Sequence, residues 1–135
     1  MNNKIILVAG DPNSINSEII FKVWKKLNKK TQKRIYLIGN FNLLAKQFKK
    51  LRYKIRMIKI TDIKFKDNSN NLKVIDIPIN FRNPFKVNLK ESSSYVLKSL
   101  NLAHNLIKRK YAKAIINCPI NKKLIQKSKK VGVTE

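Results

Sequence analysis

The chain has 135 residues, 43% of them apolar, which is enough to fill one core and short for two domains. Its formal charge of +24 is the loudest feature, yet the excess is mostly lysine, with arginine only at Arg34, Arg52, Arg56, Arg82 and Arg109, and it is spread from Lys4 to Lys130, which favours a solvated surface over a nucleic-acid partner. The single cysteine, Cys118, rules out an internal disulfide and a CxxC pair, and no apolar stretch nears the ~20 residues of a membrane span, so a cytoplasmic protein with no membrane partner and no secretory leader is expected.

Residues 4–9 (KIILVA) are a continuous apolar run of buried-strand length. Ile15, Ile19, Ile20, Val23, Trp24 and Leu27 then recur at helical spacing, with Lys22, Lys25, Lys26 and Lys29 largely on the other side. Ser14 or Ser17 is the expected N-cap of that helix, and Glu18 suits its positive end. Residues 34–38 (RIYLI) form the next strand, stopped at Gly39-Asn40, and Leu43, Leu44, Gln47, Phe48 and Leu51 describe a second amphipathic helix. Residues 53–60 alternate like a strand, residues 61–72 are turn-rich and read as a surface connection, and residues 73–77 (KVIDI) read as a short strand. Two prolines, Pro78 and Pro84, and the lack of a period make residues 78–89 an irregular crossing segment. A long helix over 90–111, started by Ser92, Ser93 and Ser94, carries Val96, Leu97, Leu100, Leu102, Ala103, Leu106 and Ile107. It feeds a buried strand at 112–117 (AKAIIN), and a short helix through Leu124 and Ile125 follows. Cys118, just past that strand, reads as a small buried hydrophobe rather than a nucleophile.

Strands alternating with helices predict an α/β fold, with a mostly parallel sheet, helices on both faces, and ligands at the carboxyl ends of the strands. Three segments fall where such ligands gather. Gly10-Asp11-Pro12-Asn13-Ser14-Ile15-Asn16-Ser17-Glu18 follows the first strand, and it offers a tight glycine turn, an aspartate to orient a polar ligand, and a helix N-terminus for an anion. Pro119-Ile120-Asn121-Lys122 follows the last strand, where Asn121 gives both a donor and an acceptor and Lys122 gives a cation for phosphate or carboxylate. Gly132-Val133-Thr134-Glu135 ends the chain. On spacing alone the first two are also compatible with ordinary strand-to-helix turns, and neither GxGxxG nor a Walker sequence is present.

Together the three segments resemble the 4-hydroxythreonine-4-phosphate dehydrogenases (PdxA type) of pyridoxal phosphate synthesis. That family opens on a motif like GDPAGIGPEI, matched here by Gly10, Asp11, Pro12, Ile15, Glu18 and Ile19. Its PINK turn is matched by Pro119, Ile120, Asn121 and Lys122, and its GHTE motif, whose His and Thr contact substrate, reads Gly132-Val133-Thr134-Glu135 here. Thr134 therefore carries over as a substrate contact, whereas Val133 at the second substrate position can neither donate a hydrogen bond nor carry a proton. The resemblance implies a fold like that of isocitrate and isopropylmalate dehydrogenases, here incomplete, with residues 1–135 the N-terminal portion of one dehydrogenase chain. It implies NAD-dependent oxidation and decarboxylation of 4-phosphooxy-L-threonine, a homodimer, and a divalent metal (Zn, Mg or Co) whose ligands lie beyond Glu135. The lone histidine, His104, falls in the long predicted helix and matches no metal ligand, so the 135-residue chain is expected to be inactive by itself. A dehydrogenase for another hydroxy acid is the alternative that Val133 keeps open, and a basic nucleic-acid-binding module is the alternative from charge.

Overall fold

Parallel strands cannot be joined by tight turns, so each buried strand of this sequence needs a crossover to return the chain to the same edge. The computed structural model, which describes residues 3–65 and 69–118, shows how this is done. Strand β1 (Ile5–Val8) leads into helix α1 (Asn16–Lys26) and a one-turn helix α2 (Lys29–Gln32), followed by β2 (Ile35–Gly39) and α3 (Phe41–Lys50). Then come β3 (Met57–Ile60), β4 (Leu72–Asp76), the long α4 (Leu89–Lys108) and β5 (Ala114–Asn117). All four strand pairings are parallel and the order is β3-β4-β2-β1-β5. β1 is thus where the order reverses: the chain builds outward through β2 on one side, and α4 carries it back to lay β5 on the other.

The period of two along each strand divides the core into two layers. Ile6 and Val8 of β1, Tyr36 and Ile38 of β2 and Ile75 of β4 pack with Tyr95, Val96 and Ala103 of α4. Leu37, Leu72 and Val74 face the other way and pack with Ile20 and Trp24 of α1 and Leu44 and Phe48 of α3. Helices cover both faces, as expected. Every residue of β2 is buried, as its central place requires. Lys73 lies in this buried sheet only because its long stem lets the ammonium reach the Lys33 carbonyl at 3.0 Å, 4.6 Å from the Tyr36 ring centroid.

Five local expectations need correction, the first being the strand expected buried at 112–117: β5 is an edge of the described sheet, and its Ala114, Ile116 and Asn117 are exposed. Ser92 and Ser93 do not start α4 but are buried inside it; the start is set one turn earlier, where Asn88 Oδ1 accepts the Glu91 N–H at 2.8 Å. Asparagine satisfies the same orphan donor as serine, and it sits where the irregular segment ends. Neither Ser14 nor Ser17 caps α1: Ile15 occupies the cap position without a side-chain bond, Ser14 Oγ accepts the Asn16 N–H, and Ser17 is within the helix. Residues 53–56 are outside any strand, and β3 is confined to its last four positions. The apolar stripe of α1 is wider than the sheet beneath it. Ile20 and Trp24 are buried, whereas Ile15 and Val23 are exposed; Val23 borders an apolar groove of about 280 Å³ shared with Ile116 and Cys118. The expected helix through Leu124 and Ile125 lies outside the described residues.

Candidate active site

With every strand parallel, the carboxyl ends of all five share one edge of the sheet, and α1, α3 and α4 all begin there. The positive ends of three helix dipoles therefore gather at this edge. α3 and α4 are closed by asparagine side chains, Asn40 onto the Leu43 N–H and Asn88 onto the Glu91 N–H. α1 starts without such a cap.

The loop after β1 turns on Gly10, whose φ of 77° lies in the left-handed region that side chains disfavour. Asp11, 8% exposed, spends its carboxylate inside the loop: Oδ1 accepts the Asn13 N–H at 2.9 Å, and its carbonyl accepts the Ser14 hydroxyl at 2.7 Å. This is an Asx turn, which mimics a backbone turn and stiffens it. One oxygen of the aspartate thus braces the loop from inside. Pro12 is buried beside it, and Asn16 Nδ2 donates to the Ala9 carbonyl at 3.0 Å, closing the loop onto the end of β1. Glu18 stands in the first turn of α1, where its carboxylate pairs with Lys22 at 3.2 Å and accepts the Tyr53 hydroxyl at 3.1 Å. The hydrogen bond from Lys22 and then that from Tyr53 hold its carboxyl below the usual range. Among the described contacts its role is to tie α1 to the connection after α3.

Two amides to which the sequence reading gave no individual role fix this loop against the crossing segment. Asn13 makes a two-way bond with Val87, its Nδ2 donating to the carbonyl at 2.7 Å and its Oδ1 accepting the N–H at 2.8 Å. Gln47, buried on α3, donates from Nε2 to the carbonyls of both Pro12 and Pro84, at 2.8 and 2.7 Å. Prolines lack an N–H, and their carbonyls here find a side-chain donor instead. The irregular stretch 78–88 is thereby locked as the wall of the edge. In sequence, Gln47 had been read only as part of an amphipathic stripe; a glutamine at a buried helical position was the signal to look for a partner.

Beneath the edge lies Tyr95. Its hydroxyl oxygen accepts the Asn40 N–H at 2.9 Å, and burial pushes its phenol well above its usual pKa, so it stays a neutral acceptor. Asp76, at the end of β4, accepts the Phe41 N–H at 2.7 Å, so two strand ends and the start of α3 are stitched together. Burial likewise pushes the Cys118 thiol up to about 11. A thiol so held is protonated at neutral pH, which agrees with a packing role and not a nucleophilic one.

The register sets Val8 beside Asn117, so the segments leaving β1 and β5 depart side by side. Gly10, Asp11, Pro12 and Glu18 are all placed in the first of these segments or on the helix that follows it. Pro119, Asn121, Lys122, Val133 and Thr134 lie outside the described residues. His104 is exposed, fifteen residues along α4 from its start, which at 1.5 Å per residue is roughly 22 Å from the carboxyl edge. Among the described residues no cluster of His, Cys, Asp or Glu could hold a metal ion, and no helix is long and apolar enough to cross a membrane.

A family model, pyridoxal phosphate biosynthetic protein PdxA, matches residues 30–135. No curated protein matches by sequence. Among solved structures, a 4-hydroxythreonine-4-phosphate dehydrogenase from Burkholderia phymatum superposes with a TM-score of 0.81 at 18% identity, over 95% of this chain and 39% of that one. A putative 4-hydroxythreonine-4-phosphate dehydrogenase from Salmonella typhimurium gives 0.78 at 21% identity, over 96% of this chain and 41% of that one. The Klebsiella pneumoniae 4-hydroxythreonine-4-phosphate dehydrogenase gives 0.76 at 19%, over 94% and 40%. At these identities the likeness is one of fold, and the chain spans about two fifths of the length of the structures it matches.

Proposed function

The chain belongs to the family of the pyridoxal phosphate biosynthetic protein PdxA, and from that premise we propose that it is the N-terminal portion of a cytoplasmic NAD-dependent dehydrogenase. The reaction is oxidation of the secondary alcohol of 4-phosphooxy-L-threonine, with hydride passing to NAD and the resulting β-keto acid losing carbon dioxide. The observation that carries this reading is the pairing of β1 with β5 in register, Val8 beside Asn117, which sets the end of the strand that precedes Pro119-Ile120-Asn121-Lys122 in sequence beside the end of the strand that precedes Gly10-Asp11-Pro12. Two motifs distant in sequence then serve one cleft.

In that cleft the β1 loop acts as a wall braced by Asp11 Oδ1, and the start of α1, which has no side-chain cap, draws the negative charge of a phosphorylated substrate. Lys122 and Asn121 supply a cation and an amide for the same substrate, and Thr134 a hydroxyl contact. The residues described do not fit a divalent metal: the sole histidine is exposed and remote, and no acidic or thiol cluster replaces it. By resemblance to the family, the metal of the complete enzyme takes its ligands beyond Glu135, and the working unit is a homodimer of the longer chain.

Val133 supports a second reading, in which the longer protein acts on a different hydroxy acid. The test is NADH formation by the longer protein, with divalent metal supplied, on 4-phosphooxy-L-threonine and on a panel of 3-hydroxy acids. Turnover of the phosphorylated substrate in preference to the panel supports the first reading, and the reverse preference supports the second. Hydride transfer by the 135-residue chain alone would contradict the requirement for later ligands.

A further inference from the structure

Five of the chain's 31 basic residues line one groove, four of them from residues 49–56. α3 ends in a Schellman turn, with the Tyr53 N–H on the Phe48 carbonyl at 2.9 Å and the Arg52 N–H on the Lys49 carbonyl at 3.1 Å. The chain then runs through Lys54, Ile55 and Arg56 into β3. Between α3, this connection and residues 69–71 lies an open groove of about 1230 Å³. Lys25, Lys49, Arg52, Lys54 and Arg56 line it, and among the described residues of its lining none is acidic, though Tyr53 donates its hydroxyl to Glu18. Two of the chain's five arginines are thus on one concave surface. Its aromatic wall includes Tyr53, whose ring is fixed by stacking on Phe21 at 4.2 Å and 4°. Arg52 occupies the left-handed region, φ 59°, at a position where glycine is the unstrained choice.

We propose that this groove binds single-stranded nucleic acid, its phosphates on Arg52, Arg56 and the neighbouring lysines and a base against Tyr53. Three features select that ligand. The volume exceeds the 300–1,000 Å³ or so of a typical metabolite pocket, so an extended ligand fits better than a compact one. The guanidinium fork matches phosphate oxygens in pairs. A flat aromatic beside a cationic track is how strands are held without reading sequence. The groove runs along α3 from Phe41 to Arg52, and Tyr53 on it reaches Glu18 in the first turn of α1, so it adjoins the carboxyl edge; a salt slope on an oligonucleotide, unlike NADH formation, reads the groove without the chemistry proposed at that edge.

The test is fluorescence anisotropy of the full 135-residue chain with a labelled ten-nucleotide oligothymidylate, titrated with NaCl. Five neutralised phosphates predict a log–log salt slope of about −3.5, or roughly a hundredfold loss between 50 and 200 mM. Arg52→Gly and Arg56→Gln should each flatten the slope by about 0.7. Arg52→Gly also relieves a left-handed arginine, so its melting temperature should hold or rise, which separates lost binding from lost fold. Lys110, φ 63°, ends α4 in the same kind of turn, so Lys110→Gly removes an equal charge outside the groove and should leave the slope unchanged. Tyr53→Leu should weaken binding without altering the slope. The proposal is overturned if Lys110→Gly flattens the slope as much as Arg52→Gly does. It is equally overturned if polyglutamate displaces the oligonucleotide at matched charge.

Discussion

Gly39, the last residue of β2, has an ordinary backbone conformation, so what excludes a side chain there is space. A Cβ added at this position would lie 3.0 Å from Tyr95 Oη and 3.2 Å from both Ala9 Cβ and Leu44 Cδ1. The hydroxyl cannot simply retreat, because it holds the Asn40 N–H at 2.9 Å and its ring is 1% exposed. Overpacking of this kind costs about 1–3 kcal/mol, while the reduced freedom of alanine in the unfolded chain returns about 0.4–1 kcal/mol. Gly39→Ala should therefore destabilise by about 1–2 kcal/mol on balance. Tyr95→Phe should cost about 1–2 kcal/mol for a different reason, since it strands a buried N–H. The two changes share one oxygen atom. In the double variant the tightest of the three contacts is gone, and the total should fall short of the sum by about 0.5–1 kcal/mol. Guanidinium denaturation of the four proteins, fitted with a common m-value, measures the cycle. Costs that add to within about 0.3 kcal/mol would refute the view that Gly39 is kept small by the Tyr95 hydroxyl.

Gln47→Leu preserves volume but leaves the Pro12 and Pro84 carbonyls without their donor, and should cost about 2 kcal/mol in the same denaturation assay. Asn13→Asp cannot donate to the Val87 carbonyl, so amide exchange should quicken across residues 84–88 while the core strands keep their protection; uniform protection would contradict the tie. The Cys118 thiol is raised by burial from about 9 to about 11, which means the unfolded chain loses this proton first as pH climbs. Its contribution is complete below pH 9 and is lost between pH 9 and 11, so the stability gap between the native protein and Cys118→Ala should narrow by about 2 kcal/mol over that window. A gap that stays constant would mean the thiol is in contact with solvent. Comparing the two proteins cancels the lysine titrations that share this pH range.

Much of the fold was legible because burial imposes a period. The runs KIILVA, RIYLI and KVIDI read as strands, and the apolar positions of α3 and α4 were at helical spacing. Local chemistry also marked where chain segments stop, as at Gly39-Asn40, where the asparagine caps the next helix. Cap positions were less secure: Ser14, Ser17, Asn88 and Ser92 all carry an acceptor of the right reach, and only the path of the neighbouring backbone decides which one meets an N–H. The short α2 escaped because one turn of polar residues carries no period.

By itself the sequence determined the alternation of strand and helix, the parallel sheet, and the family to which its three motifs point. It could not order the strands. β4 sits between β3 and β2, and β5 beside β1, because burying two faces of every central strand is a demand on the whole sheet and not on any one segment. That order made Asn13 a neighbour of Val87, set Gln47 between two prolines, and brought Lys25 to the groove that Lys49, Arg52, Lys54 and Arg56, close in sequence, share. A polar side chain reaches only a few ångströms, so what it binds is decided by which segments the tertiary fold brings within that reach.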